Sequence, residues 1–355
     1  MDMSTTNLII RQMEQGEEKT ILKVGRKAFK SIEALFLPNP KTAMVAVYEG
    51  KIVGSIIYKP MNTKNKKIVY IEDAFVHPDY HGMGIGKKLY AETFKYLRNQ
   101  GYEGITALVK DDNVGSWKLF VDNGFKRVSL REIVKELGIV GAIKQYILTP
   151  FCMAVGMDFY LFTESEEVKE KAKGFSQALA FFLGNILLML PCWIQLYSIP
   201  EKQFQFFLPA YLTVLLLYCL PRYIGGMLSK RKWHFRLNNG GSFLPILLSI
   251  WCSMFPMNAN WYPDTYENTK AFNKELAFPE MIKWGLFSLL ALLKLTGVPY
   301  FQAVGNICYS LLLFLIIPMY PFEAYGAGRI ARYNKKLWLL TAIITIIELV
   351  LFAIF

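Results

Sequence analysis

Three glycines fall within five residues of the sequence, at Gly82, Gly84 and Gly86, just before an amphipathic stretch that predicts a helix. Glycine has no Cβ, so such a loop lets several backbone N–H groups approach one anion. The positive end of the helix dipole and the cation Lys87 favour the same ligand. This pattern predicts a pyrophosphate site, while a tight strand-to-helix connection is the alternative explanation of the glycines.

Strands and helices alternate on both sides of this loop and must position it. The predicted elements are strands at 7–13, 43–48 and 51–60, a helix at 17–36, a strand at 67–76, a helix at 84–99, a strand at 104–110, a helix at 113–122, and strands at 125–129 and 157–164. The order predicts a mixed α/β domain. The glycine spacing differs from the dinucleotide-binding Gly-x-Gly-x-x-Gly, and no Gly-Lys-Ser/Thr follows as in a P-loop.

Two motifs stand in the order found in one known superfamily. VHPDYHGMGIGKKLY (76–90) resembles the acetyl-CoA signature of GNAT N-acetyltransferases, Gln/Arg-x-x-Gly-x-Gly/Ala after a Val-x-Pro strand end, with His81 at the Gln/Arg place. NVGSWKLFVDNGF (113–125) resembles their second signature, N-x-x-A-x-x-x-Y-x-x-x-GF. The resemblance covers about residues 7–164. It implies the α/β GNAT fold, a mixed sheet with flanking helices, and an acyl-CoA-dependent transferase.

The resemblance also implies which residues contact acetyl-CoA, the expected co-substrate. They are the backbone of Phe75 and Val76 for the pantetheine arm, the loop His81, Gly82, Met83, Gly84, Ile85, Gly86 and Lys87 for the pyrophosphate, Asn113 for an amide of the cofactor, and Trp117 and Phe120 as packing partners. No metal ion is expected.

Direct acetyl transfer needs a base for the attacking amine and an acid for the leaving sulfur. Glu72 is the base candidate, because it lies on the strand beside the expected thioester; an ordinary charged strand residue is the alternative. Strict alternation along the strand predicts that Asp73 points to the other face. The family's usual acid is a tyrosine where this chain has Phe120, so Tyr70, Tyr80 or water is left as the proton donor.

Composition changes near residue 173, because only seven of the 28 acidic residues follow it and apolar runs dominate. We predict a GNAT domain at 1–173 and an integral membrane domain at 174–355. No secretory signal is visible, so the first domain is expected on the cytoplasmic side of the cell membrane. About five spans are predicted, at 175–197, 204–227, 282–298, 301–318 and 337–355, with 242–257 as a re-entrant segment or a sixth span.

The net charge of +12 does not indicate a nucleic-acid partner, because basic residues cluster beside apolar segments. Anchoring at the bilayer explains the clusters at 230–236 and 329–336. An apolar helical pattern at 130–143 predicts either a helix packed on the first domain or one that lies on the bilayer.

The membrane half faintly resembles the site-2 protease core, but it lacks the zinc-ligand motifs of that family, which implies a non-proteolytic scaffold. The sequence therefore predicts an N-acetyltransferase acting on an amine of a membrane-associated acceptor, a lipid, lipid-linked sugar or membrane protein. The alternative is an acyl-CoA sensor that is coupled to the membrane domain. The oligomeric state stays open.

Overall fold

The chain forms two compact units in a computed structural model. One comprises Met1–Cys152 and Met157–Lys171, and the other comprises Met153–Gly156 and Ala172–Phe355. The structure describes residues 7–29, 31–61, 63, 66–111, 113–147, 149, 156–166, 168–170, 173–191, 194, 204–238, 243–251, 255–267, 269–319 and 322–354.

A seven-stranded mixed sheet is the centre of the first unit. Its strands are β1 (Leu8–Gln12), β2 (Ala43–Tyr48), β3 (Lys51–Pro60), β4 (Ile68–Val76), β5 (Gly104–Lys110), β6 (Lys126–Val128) and β7 (Met157–Thr163). The spatial order is β1-β2-β3-β4-β5-β7-β6, and β4 with β5 is the one parallel pair within this sheet. The mixed α/β fold predicted from the sequence is confirmed.

Helices pack on the two faces of this sheet because each carries an apolar stripe. They are α1 (Glu18–Ala28), α2 (Ile85–Asn99), α3 (Val114–Asp122) and α4 (Leu130–Ile147). In α2, Leu89, Phe94 and Leu97 are buried. The single helix predicted at 17–36 is wrong, since α1 ends at Ala28 and a 3-10 helix (Ser31–Phe36) follows.

The second unit consists mainly of helices. They are α5 (Phe175–Leu188), α6 (Phe204–Leu228), α7 (Phe243–Ile250), α8 (Lys270–Ala291), α9 (Pro299–Ile316), α10 (Ala327–Tyr333) and α11 (Lys335–Ile354). Four helical stretches in the described part of the chain are long and apolar enough to cross a membrane: Gln205–Leu228, Lys270–Leu295, Pro299–Ile316 and Lys335–Ile354. The predicted span at 175–197 contains α5, and its residues 192, 193 and 195–197 lie outside the described residues.

A two-stranded hairpin, which was not predicted from the sequence, lies between α6 and α8 along the chain. Strand β8 (Trp233–Leu237) pairs antiparallel with β9 (Ala259–Pro263), so that Leu237 lies opposite Ala259. The first and last of the intervening residues, 238 and 258, therefore lie side by side, so the chain leaves the hairpin and returns to it at the same end. The predicted re-entrant segment at 242–257 falls in this stretch and contains α7, although residues 242 and 252–254 lie outside the described part.

Candidate active site

The glycine loop has the backbone conformation that its composition requires. Gly82 has φ +82° and Gly84 has φ +74°, a region that glycine enters without steric cost. Gly84 is the N-cap of α2, and its carbonyl accepts the first intrahelical bond from the Lys88 N–H at 3.2 Å. The N–H groups of residues 85–87 consequently have no acceptor within the helix. This end of α2 has the geometry of an anion site.

Side chains around the loop divide into those that fasten it and those that stay exposed. His81 Nε2 donates to Val76 O at 3.0 Å, which ties the loop to the end of β4. Lys88 Nζ donates to Leu8 O at 3.1 Å, so this ammonium is engaged with β1. Lys87 and Met83 are exposed at the helix start. Lys87 is therefore the cation that is placed to meet a phosphate here.

Strands β4 and β5 diverge beside the loop and open a cleft. Their parallel pairing ends at Ile71 and Ala107, while β4 continues to Val76 and β5 continues to Lys110. Beyond Ile71, the edge of β4 that faces β5 has no strand partner in this register. An extended ligand with amide groups can bind to such an edge as an added strand does.

Acidic and polar side chains line this cleft. They include Glu33, Glu72, Asp73, Lys110, Asn113 and Ser116, and the apolar ring of Phe120 lies beside them. Glu33 pairs with Lys110, and Glu72 lies 3.0 Å from Lys59 Nζ. The structure therefore brings together Glu72, Asn113 and Phe120 among the residues selected from the sequence.

A β-bulge changes the expected alternation along β4. Ile57 pairs with Asp73 but the next residue, Tyr58, pairs with Ile71, so Glu72 is the extra residue. A bulge rotates the side chains near it and breaks strict alternation. The prediction that Asp73 faces away from Glu72's side is accordingly wrong, because both residues line the cleft.

Asp73 is the most perturbed carboxyl group in the cleft. Its residue is 5% exposed, and Oδ2 has no hydrogen-bond partner. Burial raises the pKa of Asp73 well above its usual range, and the negative charges of Glu72 and Glu33 raise it further. Perturbed carboxyl groups in a cleft are characteristic of functional sites.

The tyrosines proposed as acids lie elsewhere. Tyr70 is fully buried within β4. Tyr80 packs against the rings of Tyr48 and His77, with centroids 5.9 Å and 5.8 Å away. Neither residue is among those that line the cleft. The proposed acid role of Tyr70 and Tyr80 is therefore not supported by their position.

A different tyrosine, Tyr90 of α2, comes close to the cleft. Its hydroxyl lies 3.1 Å from Ser116 Oγ, and its ring meets Phe120 edge-on at 5.1 Å. Burial raises the pKa of Tyr90 to about 12, although the Ser116 hydrogen bond acts in the opposite direction. The sequence offered one signal, since Tyr90 occurs at an inward position of α2, but such a tyrosine equally indicates a core residue.

The remaining predicted contacts have defined surroundings. Asn113 caps α3 by accepting from Ser116 N–H at 3.3 Å. Trp117 lies under the Arg127 guanidinium, 5.9 Å from the ring centroid. The Phe75 ring packs on Phe29 at 5.7 Å, so its backbone, not its side chain, is what a cofactor can meet.

These features fit coenzyme A. The N–H groups at the start of α2 and exposed Lys87 suit the pyrophosphate, and the open edge of β4 around Phe75 and Val76 suits the pantetheine amides. Among the described residues, no group of three or more His, Cys, Asp or Glu side chains is arranged to hold a metal ion.

The comparison with known families agrees with the fold. Residues 10–125 match the model of the Acetyltransferase (GNAT) family. The first unit thus has the fold of GNAT acetyl-CoA acetyltransferases, and the helical second unit follows it. That match ends well before the second unit, so the likeness of residues 174–355 to the site-2 protease core stays a prediction.

Solved structures similar to this chain include several acetyltransferases. N-acetylglutamate synthase from Neisseria gonorrhoeae, complexed with coenzyme A and N-acetyl-glutamate, is 20% identical over 43% of this chain and 34% of that chain, with a TM-score of 0.32. A GNAT family acetyltransferase from Brucella melitensis with acetyl-CoA is 18% identical over 46% and 93%, at 0.31. IAA acetyltransferase from Bacillus cereus is 22% identical over 34% and 79%, at 0.28. The sequence matches no curated protein.

Proposed function

We propose that this protein is a membrane-integrated N-acetyltransferase, which transfers the acetyl group of acetyl-CoA to an amine of a membrane-associated acceptor. The observation that carries the proposal is the cleft between β4 and β5, where Glu72 and Asp73 lie next to the open edge of β4. A protein that only sensed acyl-CoA would need the strand edge and the loop, but no carboxyl groups beside the thioester.

Acetyl-CoA supplies an activated acetyl thioester, so that the amine gains the acetyl group and loses a proton while the sulfur leaves and gains one. Glu72 is the proposed base for the amine proton. Its side chain is 10% exposed and held by Lys59 at 3.0 Å, which fixes the carboxylate at the cleft. Asp73, whose pKa is raised by burial, is placed to keep a proton and to donate a hydrogen bond.

The pair Tyr90 and Ser116 is the proposed source of the proton for the sulfur. Ser116 lines the cleft, and its hydroxyl lies 3.1 Å from the hydroxyl of Tyr90. Phe120, at the usual place of the acid, contacts the Tyr90 ring instead. The Ser116 hydroxyl can donate to the sulfur while it accepts from Tyr90, so the pair can relay one proton.

The acceptor class follows from the second unit. Four helical stretches that are long and apolar enough to cross a membrane support integration in the bilayer. Fixing a transferase at the surface that holds its acceptor raises the effective concentration of that acceptor. We assign the first unit to the cytoplasmic side, because acetyl-CoA is found there and basic residues flank the apolar segments.

The test is acetyl transfer by the purified full chain in lipid. Isotope-labelled acetyl-CoA is added together with soluble amines and with lipids and membrane proteins extracted from the native membrane, and products are identified by mass spectrometry. We expect label in an amide of a lipid, a lipid-linked sugar or a membrane protein. Label only in soluble amines would contradict the membrane acceptor. CoA binding without any labelled product would favour the sensor.

A further inference from the structure

The interior of the second unit holds an unusual excess of positive charge. Among its described residues, the buried charged side chains are four cations, Arg222, Arg236, Lys283 and Arg329, and one carboxylate, Glu280. Charged groups inside a membrane domain are costly, and they mark sites for ions or substrates when they are retained.

Glu280 of α8 compensates for part of this charge. It pairs with Arg222 of α6, Lys283 Nζ lies 2.7 Å from Oε2, and Arg329 Nη1 lies 3.4 Å from Oε1. Glycine is required at position 326, because a Cβ there would overlap Glu280 Oε2. Three cations thus share one carboxylate in a closely packed centre.

Arg236 has no carboxylate partner in this centre. It stands on β8, with its guanidinium 4.6 Å from the ring centroid of Tyr262. Arg329 and Arg222 approach the same ring at 5.3 Å and 5.7 Å. Tyr262 in turn donates its hydroxyl proton to Asn238 Oδ1 at 2.8 Å. Three guanidinium groups therefore surround one aromatic ring.

Several donors of these guanidinium groups are buried without a partner. They are Nε and Nη2 of Arg236, which is 5% exposed, and Nη1 of Arg222, which is 1% exposed. A buried charged donor without an acceptor loses hydration that nothing in the protein replaces. Nε and Nη2 form one edge of the guanidinium, and that edge matches two oxygens of a phosphate.

The other carboxylates among the described residues of the second unit are partly or fully exposed. Asp264 pairs with His234, and Glu267 and Glu275 pair with Arg231. Glu348 accepts from Ser288. Glu323 is partly exposed on the turn that precedes α10. Within the described residues of the second unit, Glu280 is therefore the one buried carboxylate against four buried cations, and three of these cations contact it.

We propose that Arg222, Arg236 and Arg329 form a binding site for a phosphate group, carried either by a lipid headgroup or by a free phosphate ion. The ligand would supply the negative charge that Glu280 alone does not provide, and its oxygens would accept from the open edge of Arg236 and from Arg222 Nη1. The site belongs to the second unit and does not depend on acetyl transfer in the first.

The experiment compares phosphate-bearing and neutral ligands on the purified full chain in detergent. Native mass spectrometry measures retention of phosphatidylglycerol and of diacylglycerol, which has no phosphate, and thermal unfolding is recorded in sodium phosphate and in sodium chloride at equal ionic strength. We expect about tenfold stronger retention of phosphatidylglycerol if the ligand is a lipid. A higher thermal midpoint in phosphate that is lost in Arg236→Gln, without a lipid preference, identifies the free ion, because phosphate also stabilises proteins non-specifically.

Arg236→Gln tests the proposed contact. Arg231→Gln is the matched control, because Arg231 lies just before the same strand, β8. Arg236→Gln should reduce the preference for the phosphate-bearing ligand about tenfold. Arg231→Gln should keep this preference, because Arg231 already pairs with Glu267 and Glu275. Arg236→Lys, which keeps the charge without the planar edge, should lie between them. Equal behaviour of all ligands on the unaltered protein overturns the proposal, and so does equal loss in both glutamine variants.

Discussion

The cleft of the first unit and the cation centre of the second unit hold charges of opposite sign in different surroundings. The cleft gathers three carboxyl groups, Glu33, Glu72 and Asp73, at an opening between diverging strands. The centre gathers Arg222, Lys283 and Arg329 around Glu280, and Arg236 adds a fourth buried cation against Tyr262. A group at an opening can exchange protons with a ligand, whereas a buried group of cations can hold a counter-charge. The first arrangement therefore suits proton transfer, and the second suits binding.

The two regions also differ in how exposed the cationic partners of their carboxylates are. Each of Glu33 and Glu72 pairs with a lysine that is partly exposed, Lys110 and Lys59. Glu280 meets its three cations with all four side chains almost fully buried. Water can replace a lost partner in the cleft but not in the centre. Loss of a carboxylate should then affect rate in one place and folding in the other.

The largest expected effect is on the rate, in Glu72→Gln. If Glu72 is the base, turnover should fall about 10²–10⁴-fold while the affinity for CoA changes little. The control is Glu33→Gln, which removes a carboxylate from the same cleft but not from the extra position of the β4 bulge. Steady-state rates across pH check this. Equal rates in Glu72→Gln and the unaltered protein would assign Glu72 to the Lys59 pair alone.

Glu280→Gln should have the largest effect on stability. Removing the carboxylate leaves three buried cations uncompensated, which costs about 3–5 kcal/mol for a broken buried pair. Glu275→Gln on the same helix is the control, because its partner Arg231 is partly exposed and such pairs contribute about 0–1 kcal/mol. Thermal unfolding in detergent measures both. A small shift in Glu280→Gln would mean that the centre is hydrated or that a bound anion, not Glu280, dominates.

Gly84→Ala tests the loop against a matched glycine. A left-handed conformation costs a non-glycine residue about 1–2 kcal/mol, so the loop should shift and CoA affinity should fall about tenfold. Gly50→Ala has the same φ of +74°, and a Cβ at either position meets nothing within 4 Å. Both changes should carry the same strain, but only Gly84→Ala should weaken CoA in calorimetry. Equal affinities would remove the anion role of the loop.

Tyr90→Phe should lower turnover less, about three- to tenfold, because it removes one neutral hydrogen bond from the proposed relay. The change keeps the ring that packs on Phe120. Adding Phe120→Tyr to this variant puts a hydroxyl at the place where the GNAT resemblance expects one, and we expect it to restore part of the rate. Unchanged turnover in both variants would leave water as the acid.

The elements of the first unit were predictable because their patterns are local. The glycine loop, the helix after it and Asn113 as the start of α3 all follow from residue types at fixed spacing. The cleft was predictable in place but not in detail. The bulge at Glu72 depends on how β3 pairs with β4, and no feature of the strand sequence reports that register.

The second unit was less predictable, for a physical reason. Apolar runs identify helices that can span a bilayer, but they do not report which polar residues meet. Arg222, Glu280 and Arg329 come from three helices far apart in sequence. The hairpin of β8 and β9 was hidden because its strands have five residues each and are separated by an apolar stretch. Long-range pairing of this kind is visible only in the fold.

The smallest expected effect, and the one that separates burial from catalysis in the cleft, is the pH dependence of Asp73→Asn. Folding raises the pKa of Asp73, so the folded state binds more protons than the unfolded state at any pH between the two values. Stability must then fall as pH rises above the ordinary range of an aspartate. Asparagine has no such cost, so the variant should be more stable than the unaltered protein near pH 8 and nearly equal to it near pH 4. Urea titrations of the full chain measure this difference, with susceptibility to proteolysis as the readout for unfolding of the first unit. The control is Asp122→Asn, because Asp122 is exposed. A gap that is independent of pH would show that Asp73 is ionised in the folded cleft, and the cleft would then carry its full negative charge in direct contrast to the cations of the second unit.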